Sequence, residues 1–228
     1  MAIYQTTIIE HKQIAENTVE ISFKRPNDFS FKAGQYIQLG VPKLLYSDVK
    51  GTSRVFSVAS SPLDQEKLSI AFRNTGSGFK RTLKELPMNA PVSIEGPHGF
   101  FTLPQNPSHH LVFIAGGIGI TPYLSMIRFA AERGFTFPIT LLYANKSKER
   151  AAYLEELQDI ANRNKYFILK NRFGRIDEQF IRQNMKNIQQ CVWNIAGPPA
   201  MVSYARNLLF LLGVNYDRIH CEEFIGYE

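Results

Sequence analysis

The chain has 228 residues, 44% of them hydrophobic and 20% charged, with 26 Lys and Arg against 20 Asp and Glu for a net charge of +6. That is enough to bury one large core or two small ones, and the longest apolar stretches, Leu111 to Gly119 and Leu208 to Val214, fall well short of the roughly 20 residues that cross a bilayer. No membrane span is expected, and since no basic segment leading into an apolar run opens the chain, the default location is the cytoplasm.

Cys191 and Cys221 belong to no Cys-x-x-Cys pair, so this chain cannot supply the four thiolates of an iron-sulfur cluster. The five histidines lack metal-ligand spacing, and no metal site is expected. The basic residues are scattered, as on a solvated surface, and also suit steering of an acidic partner. No nucleic-acid motif accompanies them.

In chain order, residues 7 to 102 read as short β pieces: Thr18 to Phe23, Tyr36 to Val41, Arg54 to Ala59, Lys67 to Arg73 and Pro91 to Glu95. Turn clusters such as Pro26-Asn27-Asp28 and Asn74 to Gly78 separate them, a pattern that favours an antiparallel barrel. Gln105 to Ser108 is the best linker, dividing a domain over 1–105 from one over 106–228. Beyond it, strand-like runs His110 to Ala115, Pro138 to Ala144, Tyr166 to Lys170 and Cys191 to Ala196 alternate with helical patterns, which predicts a parallel sheet covered by helices. One helix is expected to be capped by Thr121, with Pro122 in its first turn and Gly134 at its end; another runs from Gly197-Pro198 to Gly213.

Three strings in fixed order carry chemistry: Arg54-Val55-Phe56-Ser57, Gly116-Gly117-Ile118-Gly119-Ile120-Thr121-Pro122, and Ala196-Gly197-Pro198-Pro199-Ala200-Met201. A strand running into the second string gives a turn where N–H groups and the helix dipole favour phosphate. Glycines chosen only for a tight turn would read the same, until Gly197-Pro198-Pro199 puts a second glycine at the same sheet edge, where α/β proteins bind ligands. On a strand, Arg54 and Phe56 share one face and Val55 and Ser57 the other. An arginine fork suits a pyrophosphate, an aromatic ring a flat heterocycle, and a serine hydroxyl a ring nitrogen. Singly, Arg54 reads as a surface ion-pair partner and Phe56 as core. Gly76-Ser77-Gly78-Phe79-Lys80-Arg81-Thr82-Leu83 reads either as a second phosphate cradle or as a hairpin loop.

Taken with Ala59-Ser60-Ser61-Pro62, Gly96-Pro97-His98-Gly99-Phe100-Phe101 and the ending Glu222-Glu223-Phe224-Ile225-Gly226-Tyr227, these strings resemble the ferredoxin-NADP reductase superfamily over almost the whole chain. The resemblance implies a two-domain fold: an N-terminal six-stranded antiparallel β-barrel for flavin and a C-terminal α/β parallel-sheet nucleotide-binding domain, with the flavin ring between them. By position, Arg54 would meet the flavin's phosphates, Val55 would line its site, Phe56 would stack on one ring face, and Ser57 would lie near N5. Gly78, Phe79, Lys80 and Thr82 would hold the pyrophosphate, which favours FAD over FMN. Gly116, Gly117, Gly119, Ile120, Thr121 and Pro122 would hold the nicotinamide nucleotide with Thr121 near the nicotinamide, and Gly197, Pro198, Pro199 and Met201 would pack beside it. Phe224 would cover the other flavin face, with Tyr227 its rival, and Glu223 would handle protons or be a solvated tail carboxylate.

The chain departs from the family pattern where Phe56 replaces the usual tyrosine and Ala196 the frequent cysteine. After the strand ending at Ala144, Asn145 and Lys146 come where an acidic residue would hold a ribose hydroxyl; Lys146, Lys148 and Arg150 instead suit a 2′-phosphate, which tilts the expectation from NADH to NADPH. The function implied is hydride transfer from NAD(P)H to bound flavin, and electron delivery to a small acidic ferredoxin or flavodoxin or to an oxygenase component. Two alternatives stand beside it: an NAD(P)H:flavin reductase with diffusible flavin, and a non-catalytic nucleotide-binding regulatory subunit.

Overall fold

The computed structural model describes residues 2–105 and 107–224, in two compact units. The first gathers the chain up to Leu103 together with Thr121–Glu132; the second gathers Pro104–Ile120 and the chain from Arg133 onward.

In the first unit, β1 (Ile3–Ala15), β2 (Thr18–Lys24), β3 (Tyr36–Gly40), β4 (Ser53–Ser57), β5 (Lys67–Arg73) and β6 (Pro91–His98) form one antiparallel sheet in the order β4-β3-β6-β1-β2-β5. The bridge between Val58 and Ile70 links the two ends, giving the six-stranded barrel. Strand alternation sends Ile8, Ile21, Ile37, Leu39, Phe56, Ile70, Val92 and Ile94 into the core. Helix α1 (Gly78–Glu85) completes that core with Phe79 and Leu83, and Ser77 caps it by accepting from the N–H of Lys80.

Helix α2 (Thr121–Glu132) follows the glycine turn in the chain. Its Ser125 hydroxyl donates to Ser60 O at 2.7 Å, and Arg128 donates to Ala59 O at 2.9 Å and pairs with Glu20 at 3.7 Å. These partners lie in the barrel unit, and they account for the burial of Glu20 in β2. A 3-10 turn, Gly117–Ile120, precedes α2, so Thr121 is its first residue and not the cap that its hydroxyl suggested.

In the second unit, β7 (Leu111–Gly116), β8 (Ile139–Asn145), β9 (Phe167–Phe173), β10 (Val192–Gly197) and β11 (Ile219–Glu223) form a parallel sheet in the order β11-β10-β7-β8-β9. Val112, Ile114, Leu142, Trp193 and Ile195 share one face, buried with Ile181 of α4 (Glu178–Asn184) and with Val202, Ala205 and Leu209 of α5 (Pro199–Leu211). Helix α3 (Leu154–Arg163) lies between β8 and β9 in the chain. No helix among the described residues is long and apolar enough to cross a membrane.

Candidate functional site

The residues expected to hold a flavin's phosphates converge at the start of α1. Lys80 is 6% exposed, and burial together with the charges of Arg54, Lys50 and Arg73 pushes its ammonium down to about 8. Arg73 adds a buried Nε without a hydrogen-bond partner. Four cations thus gather around a helix N-terminus, and a phosphate suits both the excess charge and the dipole.

The donors of this cradle already have partners. The Asp48 side chain, 6% exposed, accepts from the Phe79 N–H at 2.9 Å through Oδ2 and from the Lys50 N–H at 2.9 Å through Oδ1. Arg54 pairs with the same Oδ1 through one terminal nitrogen and donates to Lys50 O at 2.9 Å and Gly51 O at 3.1 Å through the other. The helix-start N–H above all, with Lys50 and Arg54, holds the Asp48 carboxyl below its ordinary value. Thr82, fully buried, accepts from the Leu45 and Tyr46 N–H groups at 3.0 and 3.3 Å. A Cβ on Gly78 would stand 2.6 Å from Tyr46 O and closer still to Ser47 O, so this glycine admits the chain's own loop.

The arginine string needs one correction. Phe56 is 3% exposed, with its ring 5.7 Å from that of Phe72 and 6.2 Å from that of Phe79, so it offers no face to a planar ligand. Arg54 sits 5.1 Å over the Phe79 ring on that same side. Val55, 55% exposed, is the residue that faces outward, and Ser57, two residues on, shares its face while half-buried.

In the second unit the glycine strings meet at the carboxyl edge of the sheet. Gly116 and Gly197 both face Met201, whose Sδ and Cε fill the space a Cβ would need. The Gly119 site is closed by the Ala196 and Gly197 backbone. The Tyr143 hydroxyl donates to Gly117 O at 3.1 Å and ties the turn to β8. Ile120, Thr121 and Pro122 are buried, while Pro198 and Pro199 are exposed where α5 begins.

Asn145 stands at the end of β8, 5% exposed, with neither side-chain amide atom hydrogen-bonded. Asn171, opposite Tyr143 in the β8–β9 register, has an unpartnered Oδ1 on the same face. Buried polar atoms without partners are costly, and three of them, on two asparagines at a ligand-binding edge, fit a nucleotide that supplies donors and acceptors. Lys146 and Lys148 lie exposed just beyond.

The C-terminal strand sets two neighbouring carboxylates apart. Glu223 is exposed, whereas Glu222 is half-buried, with Oε2 unpartnered and its carboxyl pushed up to about 7 by burial. Alternation along β11 puts Glu222 on the face of Phe224 and Glu223 on the opposite one, a signal present in the sequence. The Phe224 N–H donates to Gly197 O at 2.9 Å, which lays the end of β11 along β10. Ile225, Gly226 and Tyr227, the rest of the ending motif, lie outside the described residues.

A carboxyl raised in the fold binds more protons folded than unfolded between pH 4.5 and about 7, so stability falls as pH rises through that window. Glu222→Gln is expected to remove that slope in melting temperatures measured from pH 4.5 to 8. Parallel curves for variant and wild type would show that Glu222 titrates normally.

Family models describe residues 5–103 as an oxidoreductase FAD-binding domain and residues 113–207 as an oxidoreductase NAD-binding domain, together well over half of the chain. The chain is 28% identical to a ferredoxin--NADP reductase B of Sorangium cellulosum (strain So ce56), over 97% of each chain. It is 27% identical to the toluate 1,2-dioxygenase electron transfer component of Pseudomonas putida, over 97% of this chain and 67% of that protein. Other curated relatives are longer, and the chain spans from 36% to 59% of their length. The FAD/NAD-binding domain of nitric oxide dioxygenase from Vibrio cholerae O1 biovar El Tor shares the fold, with a TM-score of 0.83 at 20% identity over 96% of this chain and 98% of that one. With a flavin-type barrel, a parallel nucleotide sheet and both family models in the same order, the chain belongs to the ferredoxin-NADP reductase superfamily of NAD(P)H-dependent flavin oxidoreductases.

Proposed function

We propose that the chain carries reducing equivalents from NADPH through bound FAD to a separate, small, acidic electron-transfer protein or oxygenase component in the cytoplasm. The observation that carries this reading is the gathering of Lys50, Arg54, Arg73 and Lys80 at the start of α1, where a helix N-terminus adds its own dipole. Bound FAD supplies the chemistry of accepting a hydride and releasing electrons singly. The chain's part is binding and orientation. Lys80 and Arg73 draw the cofactor's phosphates, and Ser57 and Val55 line the outward side of β4. Asn145 and Asn171 receive the nucleotide at the carboxyl edge of the second sheet, Lys146 and Lys148 pair with its 2′-phosphate, and Glu222 holds a proton near neutrality. The net charge of +6 favours acidic partners by steering their approach.

Charge-assisted bonds contribute about 1.5–3 kcal/mol each, so Lys146→Glu is expected to lower the NADPH-to-NADH ratio of kcat/KM by about tenfold or more. An unchanged ratio would remove Lys146 from nucleotide selection. The second reading, reduction of a diffusible flavin, is favoured by one observation: Arg54 commits one end of its fork to Asp48 and the other to the Lys50 and Gly51 carbonyls. Flavin retained through desalting supports the first reading, and a colourless protein that turns over added flavin supports the second.

A further inference from the structure

The loop between β3 and β4 brings its own anion to the phosphate cradle. Asp48 takes the Phe79 N–H and one end of the Arg54 fork, Thr82 is bonded by Leu45 and Tyr46, and Gly78 is covered by the carbonyls of Tyr46 and Ser47. Of the positions expected to meet flavin phosphate, Arg54, Gly78, Phe79 and Thr82 are therefore engaged by one short segment, residues 45–48. A flavin phosphate using the same donors would face the Asp48 carboxylate, and two anions on one fork and one N–H repel. Lys50, Arg73 and Lys80 stand close to one another beside this segment, and their charges attract an added anion.

Leu44 packs against the barrel core, so displacement of the loop is confined to the residues after it. Leu45 and Val49 are exposed, and Gly51 has φ +78° with nothing near its Cβ position, as in a hinge. Tyr46 is its firmest attachment, lying under Arg81 at 3.7 Å and bonded to Glu85.

We infer that Asp48 is a specificity-determining residue for the flavin: its carboxylate competes with flavin phosphate for Arg54 and the Phe79 N–H, and loading exchanges one anion for the other. The inference rests on the flavoprotein reading and adds how tightly, and through which group, the flavin is held. Asp48 weakens FMN and FAD relative to riboflavin, which has the same ring and no phosphate.

The test compares Asp48→Asn with wild type by quenching of flavin fluorescence. FMN and FAD should bind the variant at least tenfold more tightly and riboflavin equally well, with Asp48→Glu returning FMN affinity to the wild-type range. Unchanged or weaker FMN binding by Asp48→Asn overturns the inference and makes Asp48 a positioning partner of Arg54. A measurement without variants guards against misfolding. Inorganic pyrophosphate added to wild type should speed amide exchange at Leu45 and Tyr46, whose N–H groups would leave Thr82; slower or unchanged exchange counts against the exchange of anions. If wild type binds no flavin, the flavoprotein reading fails, and the pyrophosphate response still decides the role of Asp48.

Discussion

Gly119→Ala is expected to slow reduction of bound flavin by NADPH about a hundredfold, because displacing a substrate-positioning element by about 1 Å costs that much. The reason is the identity of the neighbours. A Cβ at residue 119 would come within 2.9 Å of Gly197 Cα and 3.0 Å of Ala196 C, and closer still to Ala196 O. All three are backbone atoms of β10, a central strand hydrogen-bonded on both sides, and they cannot move aside as a side chain would. Nor can the turn easily retreat, since Tyr143 holds Gly117 O. The methyl must shift the turn or the strand, at about 1–3 kcal/mol of stability for overpacking. Gly116→Ala makes the contrast: its Cβ would meet the Met201 side chain, which has rotamers to spare, so a smaller loss is expected. Stopped-flow reduction and thermal melts of the two variants measure the difference. Wild-type rate and stability for Gly119→Ala would show that the close approach to β10 is not required.

Phe56→Ala is expected to destabilise the barrel by about 3–5 kcal/mol, the usual cost of emptying a buried aromatic site. Phe56 fills the space between Phe72 of β5 and Phe79 of α1, so its loss opens a cavity where three elements meet. A ring that merely covered a flavin would behave in the opposite way, lowering flavin affinity and leaving the melt of the flavin-free protein almost unchanged. Val55→Ala supplies that second pattern. Its side chain is exposed, so stability should stay within about 0.5 kcal/mol, while flavin affinity falls. A Phe56→Ala protein that melts like wild type would return Phe56 to the ligand.

The second unit was largely legible because parallel strands buried on both faces read as near-continuous apolar runs. His110 to Ala115, Pro138 to Ala144 and Cys191 to Ala196 each match their strand to within one residue. β1 and β11 escaped notice because Glu10-His11-Lys12-Gln13 and His220-Cys221-Glu222-Glu223 are polar stretches, in strands held by pairing as much as by burial. The barrel strands were visible, but which face of β4 turns inward was not. The string Arg54-Val55-Phe56-Ser57 alternates either way, and only closure with Phe72 and Phe79 decides it. Asp48 had no motif at all. Its partners are Arg54, six residues on, and the Phe79 N–H, 31 residues on, and only the folded loop brings that pair together. Thr121 misled through a sound capping rule, because the 3-10 turn before it continues directly into the helix. The two-residue period of β11 sets Glu222 on the side of Phe224, a pattern that the strand's polar sequence hides.

Anaerobic titration of the FAD-loaded protein with NADPH, followed with NADH in parallel, bears most directly on the assignment as a nicotinamide-dependent flavin oxidoreductase. NADPH should bleach the oxidised flavin spectrum stoichiometrically and faster than NADH. A spectrum that dithionite bleaches but neither nucleotide changes would contradict it.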